Sequence, residues 1–197
     1  MQIGVNKLQP PHKWEIAVSS GSYYPHLAQY FPGNDIDLSH EDEEVSGVAF
    51  YAYSRHVDGL DDPAFVAQRI YSLQLLLNGA LRLEWEYIPK KSVYFNKFTR
   101  IDSGETNSVF AKIIEEDPFN RNSVVDKELS ERSSPDRRYS SQLLDLSKND
   151  RDLRSLLFLV GLVSKNSPIE SILTWNTLYK IYEIVRHHAK TANCSLE

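Results

Sequence analysis

Between Asp62 and Tyr87 the hydrophobic period changes, and that switch limits the fold more than any other stretch. Val66, Ile70, Leu73 and Leu77 recur at four, three and four residues, which draws one apolar stripe along a helix. Asp62 is suited to the N-cap and Pro63 to the first turn, where a missing N–H costs nothing. Asn78-Gly79 reads as the left-handed stop. Leu81, Leu83, Trp85 and Tyr87 then alternate with Arg82, Glu84 and Glu86, the pattern of a half-buried strand. An element with one apolar face must hide it against another, so this helix is expected to lie on a sheet.

The remaining strands of that sheet are read from period-two alternation and β-branched or aromatic runs. Trp14 to Val18 and Val45 to Tyr53 precede the helix; Val93 to Ile101 and Ser108 to Ile114 follow, with Pro89-Lys90-Lys91 and Ser103-Gly104 as turns. The acidic run Asp35 to Glu44 has the composition of a solvated loop and lacks the glycine and ligand spacing of a calcium loop. Residues 1–116 are thus expected to form an α+β domain, ββαβββ, a mostly antiparallel sheet with one covering helix.

From Asp117 to about Ser147 the pattern dissolves into Arg, Ser, Asp and Glu around Ser133-Ser134-Pro135, which reads as a linker or mobile loop. Residues 148–197 are expected to form a C-terminal α-helical hairpin. Leu153, Leu156, Leu157, Val160 and Val163 make its first stripe. Ser167, Pro168 and Glu170 make a capping box for its second helix. On that second helix Trp175, Leu178, Tyr182 and Val185 share one face, expected to be core or a homodimer interface, because two helices alone have too little area to fold.

Charge and composition exclude several functions. Residues 1–126 carry 11 Lys and Arg against 18 Asp and Glu, net −7, and residues 127–197 carry 11 against 9, net +2. A broad duplex-binding face needs a cationic excess that this chain lacks, so any RNA contact is expected to be local and in the second half. The candidates are Arg137, Arg138, Arg151 and Arg154, with Arg132 and Lys148 nearby. Their alternative is a solvated loop balanced by Asp136, Asp145, Asp150 and Asp152. Tyr23, Tyr24, His26, Tyr30 and Phe31 crowd one segment, as in surfaces that stack bases or anchor proteins, or as in a loop packed on a sheet. The longest apolar run, Leu156 to Val163, is far shorter than the roughly 20 residues of a membrane span. With no signal-like N-terminus and a single cysteine, Cys194, a cytoplasmic protein is expected.

Glu183 and His187 are four residues apart with His188 beside them, so a carboxylate and an imidazole can share a helix surface as general acid and base, or simply as surface charges. Glu-x-x-x-His supplies two metal ligands and no third is identifiable, so no metal is expected. No cofactor is expected either: the chain has no phosphate-binding glycine loop, and it has no Gly-x-Ser-x-Gly elbow.

The segment Trp175-Asn176-Thr177-Leu178-Tyr179-Lys180-Ile181-Tyr182-Glu183 resembles a helix of poorly characterised prokaryotic proteins whose C-terminal domain is similar to the HEPN superfamily. The resemblance covers about the last 50 residues. It implies a phage-defence or toxin–antitoxin setting and, in active members, a metal-independent ribonuclease that works as a dimer. The family signature is an arginine followed four to six residues later by a histidine. Here Arg186 is followed directly by His187 and His188, so the motif is incomplete. Glu183, Arg186 and His187 are the candidate catalytic residues of this chain, and a chain cut short at Leu196-Glu197 would explain the missing motif. The expectation is a defence- or toxin-associated protein with an α+β recognition domain and a HEPN-like helical region, RNA-directed but without a complete catalytic motif. The alternative is a non-catalytic protein-interaction module, an inhibitor or adaptor, whose partner is a protein rather than RNA.

Overall fold

Trp14, Ile16 and Val18 alternate inward along strand β1 (Trp14–Val18), and Trp14 is fully buried. The computed structural model describes residues 12–19, 27–28, 31, 35–43, 47–84, 92–110, 113–121, 139–163 and 170–191. β1 is the middle strand of a five-stranded antiparallel sheet. Its neighbours are β3 (Gly47–Tyr53) and β4 (Phe95–Arg100); β2 (Asp37–Glu43) and β5 (Thr106–Ser108) form the two edges, giving the order β2-β3-β1-β4-β5. The register sets Ile16 against Ala52 on one side and Phe98 on the other, so these three apolar side chains share one face of the sheet. The fold is α+β.

The acidic run is where the strand reading fails. Asp37 to Glu43 is a full strand paired to β3 from Asp37↔Tyr53 to Glu43↔Gly47, not a solvated loop. Ile36 and Leu38 are buried and anchor it, and the acidic residues sit on the sheet's outermost strand, where charge is tolerated and useful. Three strands therefore precede the long helix. The final strand is also displaced: β5 is Thr106–Ser108, and Val109, Phe110, Ile113 and Ile114 lie outside any strand. The Ser103-Gly104 turn stands as expected, with Gly104 at φ 69° and its N–H donating to Arg100 O at 2.8 Å.

After β3, Ser54 caps a single turn, α1 (Arg55–Asp58). Asp62 caps α2 (Pro63–Leu83), its carboxylate accepting from the Ala64 N–H at 2.8 Å. Asn78-Gly79 does not stop this helix. Leu81 and Leu83, read as the start of a strand, are its last turn; Trp85 and Tyr87 lie outside the described residues. The reason is burial: every residue from Ser72 to Leu81 is buried, so α2 has no solvent side over that length and is held from two directions. The polar residues inside this stretch serve the sheet side. Asn78 Nδ2 donates to Val93 O and its Oδ1 accepts from the Val93 N–H, at 2.9 and 2.7 Å, and Gln74 Oε1 accepts from the Phe95 N–H at 2.6 Å. They tie the approach to β4 to the helix and pair the Val93 and Phe95 amides.

The other side of α2 is covered by two helices. The charged stretch expected to be a linker contains one of them, α3 (Tyr139–Ser147), with Leu143 and Leu144 buried against α2. The buried Glu84 carboxylate accepts from the Ser140 N–H at 2.7 Å, satisfying one of the donors a helix start leaves open. α4 (Arg151–Leu162) begins at Asp150, whose carboxylate accepts from the Leu153 N–H, and among the described residues makes the most extensive helix–helix contact, against α2. α5 (Glu170–Thr191) packs on α4; Ser167 and Pro168, read as its capping box, lie outside the described residues. The sheet, α2 and the α3–α4 pair form three layers around a single hydrophobic cluster that runs from Trp14 and Phe98 to Leu157 and Phe158. Asp117, the first residue of the expected linker, is followed by the buried Phe119. Among the described residues no helix is long and apolar enough to cross a membrane.

Candidate functional site

The stripe expected on α5 is not core where it is described; the Trp175 side chain lies outside the described residues. Leu178, Tyr179, Tyr182 and Val185 are exposed, Tyr179 by 62% and Tyr182 by 53%. The helix rests on α4 by an adjoining side: Ile184, Val185, His188 and Ala189 face Leu153 and Leu156 across a shallow cleft of about 430 Å³, and His188 Nε2 lies 3.1 Å from Asp152 Oδ2. Leu178 and Tyr182 meet solvent, and Val185, 39% exposed, stands where that face borders the cleft on α4.

Glu183, Arg186 and His187 are all exposed on the same helix. The His187 ring stands edge-on to His188 at 5.9 Å, and the His187 carbonyl accepts from Thr191 Oγ1 at 3.0 Å. No cleft among the described residues gathers these three side chains, and none of them bonds another. Three of the other expected cations are already engaged. Arg151 pairs with Glu116 at 2.5 Å on the surface. Arg154 is buried: its Nη1 donates to Ser147 O at 2.6 Å and its Nε to Glu116 O at 2.9 Å, so it closes the C-terminal end of α3 rather than reaching a ligand. Lys148 belongs to the cluster described next. Arg132, Arg137, Arg138, Tyr23, Tyr24, His26 and Tyr30 lie outside the described residues, and Phe31 is buried.

The densest polar constellation was not visible in the sequence. His56, on α1, is 1% exposed, and both ring nitrogens are used. Nδ1 accepts from the Asn120 N–H at 2.9 Å, which places the ring proton on Nε2, and Nε2 donates to Asp35 Oδ1 at 2.9 Å. Phe119 closes the ring edge-on at 5.2 Å. The second Asp35 oxygen accepts from Lys148 Nζ at 2.8 Å, and the Arg55 guanidinium stands 3.5 Å from the first. Burial pushes the Asp35 carboxyl up, but the hydrogen bonds from His56 and Lys148 and the Lys148 charge outweigh it and hold the group well below the ordinary carboxylate range. The outcome is an aspartate held ionised at neutral pH between two cations and an imidazole.

An Asp–His pair suggests general-base chemistry, and its geometry decides against it. A general base needs one free nitrogen within reach of a substrate proton. Here the second nitrogen is taken by a backbone N–H and the ring is sealed. The cluster instead ties together segments far apart in the chain: the entry to β2 through Asp35, α1 through His56, the turn before α4 through Lys148, and the segment around Asn120. The only local signal was a Ser-Arg-His triplet ending an apolar strand, which says nothing of the partners. Among the described residues no group of three His, Cys, Asp or Glu side chains converges on a metal-sized site.

No protein-family model, no curated protein and no solved structure matches this chain significantly.

Proposed function

We propose that this chain is a non-catalytic protein-interaction module that pairs through α5 with a second copy of itself. The observation that carries the reading is the row Leu178, Tyr179, Tyr182 and Val185, exposed on a helix of 22 residues whose main packing among the described residues is on α4. Exposed aromatic and aliphatic side chains in a continuous row favour association over solvation.

The charges beside the row specify the partner. Glu183 and Arg186 flank it on the side away from α4, three residues apart. In an antiparallel pair with its two-fold axis between Glu183 and Ile184, Tyr182 lies opposite Val185 of the partner subunit. The same register brings Glu183 within reach of Arg186 of the partner subunit, twice over by symmetry. The helix dipoles also oppose in that arrangement. Candidates for catalysis thus become pairing charges.

Sedimentation velocity tests this. The wild type is expected to show a monomer–dimer equilibrium, and Tyr182→Asp, at an exposed position, is expected to weaken it at least about tenfold without lowering the unfolding midpoint. Glu183→Arg and Arg186→Glu should each weaken pairing and the double exchange should restore it. A strictly monomeric wild type defeats the reading. So does RNA cleavage that survives EDTA and disappears on His187→Ala, since that would make α5 catalytic.

A further inference from the structure

The two edges of the sheet are built differently, and the difference points to a second binding surface remote from α5. Edge strand β2 carries Asp37, Glu41, Asp42 and Glu43, the charge that keeps an exposed edge from recruiting another strand. Edge strand β5 is Thr106-Asn107-Ser108, with no charge at all. The Arg100 N–H donates to Glu105 O and the Val109 N–H to Asn96 O, at 2.8 and 2.9 Å, so residues 105, 107 and 109 turn their backbone groups toward β4. By the alternation of an antiparallel ladder, the N–H groups of Thr106 and Ser108 and the Thr106 carbonyl turn to the open side. The Ser108 carbonyl is taken by the Phe110 N–H at 3.0 Å.

Beside this edge lies an apolar groove of about 540 Å³, bounded by the first turns of α2 on one wall and the chain leaving β5 on the other. Phe98 and Asn107, cross-strand neighbours in register, lie at its sheet side. Phe65, Phe110 and Ile113 form its rims and are exposed by 60, 84 and 67%. Every described side chain lining it is uncharged. A strand added to β5 would direct alternate side chains to the face that carries Phe98, and hence into the groove.

We propose that β5 and this groove bind an extended, uncharged segment of a partner protein by strand addition, with main-chain hydrogen bonds to Thr106 and Ser108 and an aliphatic or aromatic side chain between Phe65 and Phe110. The open backbone supplies affinity for any extended chain, and the groove selects apolar residues at alternate positions. The uncharged lining favours apolar side chains over acidic or basic ones at the positions that enter the groove.

Selection of phage-displayed random peptides of about eight residues on the full chain, followed by calorimetry with the synthetic peptides selected, tests this. Selected sequences should alternate apolar residues without charge. Ser108→Pro removes an outward N–H at an edge position that tolerates proline, and it should weaken binding about tenfold, as should Phe65→Glu in the groove. N-methylation of the peptide amides that face β5 should abolish binding. A selection that yields nothing, peptides indifferent to both Ser108→Pro and N-methylation, or charged consensus sequences would each overturn the proposal. A dimer lost on Ser108→Pro and kept on Tyr182→Asp would put a second copy on this edge, and would overturn it as well.

Discussion

Replacing Asp35 with asparagine is expected to lower the unfolding free energy by about 3 to 5 kcal/mol at neutral pH, the cost of removing one member of a buried charge cluster. Asparagine fills the same volume, so packing is not what changes. Arg55, 15% exposed, would lose this anion, and Lys148, 23% exposed, would keep only the exposed Asp145, 2.6 Å away. The pH dependence follows in sign from the low carboxyl of Asp35. Its folded value lies below the ordinary value near about 3.9. The stabilisation is therefore complete above the unfolded value and fades as pH falls through the folded one. Urea denaturation of both proteins should give a constant difference from pH 7 to about pH 5, shrinking below about pH 4. Lys148→Met in the Asp35→Asn background should recover part of the loss, because it removes a part-buried charge left with one exposed partner, Asp145. A difference under about 1 kcal/mol at pH 7 would mean that solvent, rather than this cluster, sets the environment of Asp35.

That cluster also marks where sequence reasoning ends. The elements written in local chemistry were legible: the alternation of β1, the Asp62-Pro63 start of α2, the Ser103-Gly104 turn and the Leu153–Leu157 stripe of α4. Each depends on residues within one or two turns of each other. β2 was not legible, because its acidic side chains announce solvent while its backbone answers to β3. Nor was α3, whose Leu143 and Leu144 make too short a stripe to stand out from a charged stretch. The face of α5 could be read from the spacing of Leu178, Tyr182 and Val185. Its exposure could not, since that depends on what the other helices leave uncovered. His56, Asp35, Asn120 and Lys148 meet only once the sheet and the helical layer have joined.

Gly79 is the sharpest instance of a local signal overridden, and it carries the second large effect. Read locally, Gly79→Ala inside a helix should stabilise by about 1 kcal/mol, the ordinary propensity difference. The structure reverses the sign. A Cβ on Gly79 would stand 2.1 Å from the Leu157 carbonyl oxygen of α4, and a Cβ on Gly161 would stand 2.2 Å from the Leu75 carbonyl oxygen of α2. The two glycines, each four residues from the leucine that the other touches, form a reciprocal contact at which α2 and α4 approach backbone to backbone. Neither obstacle is a side chain that can rotate aside; each is a carbonyl inside a helix. Room for a methyl group can come only from moving the helices apart, which opens space around the buried Leu75, Leu76, Leu157 and Phe158. Gly79→Ala and Gly161→Ala are each expected to destabilise by about 3 kcal/mol or more, measured by chemical denaturation. The double variant should cost less than the sum of the two, since helices already separated by one methyl group accommodate the second. A Gly79→Ala protein as stable as the wild type would mean that α2 and α4 do not meet at this point, and the layer that positions α5 would then have to be packed in another way.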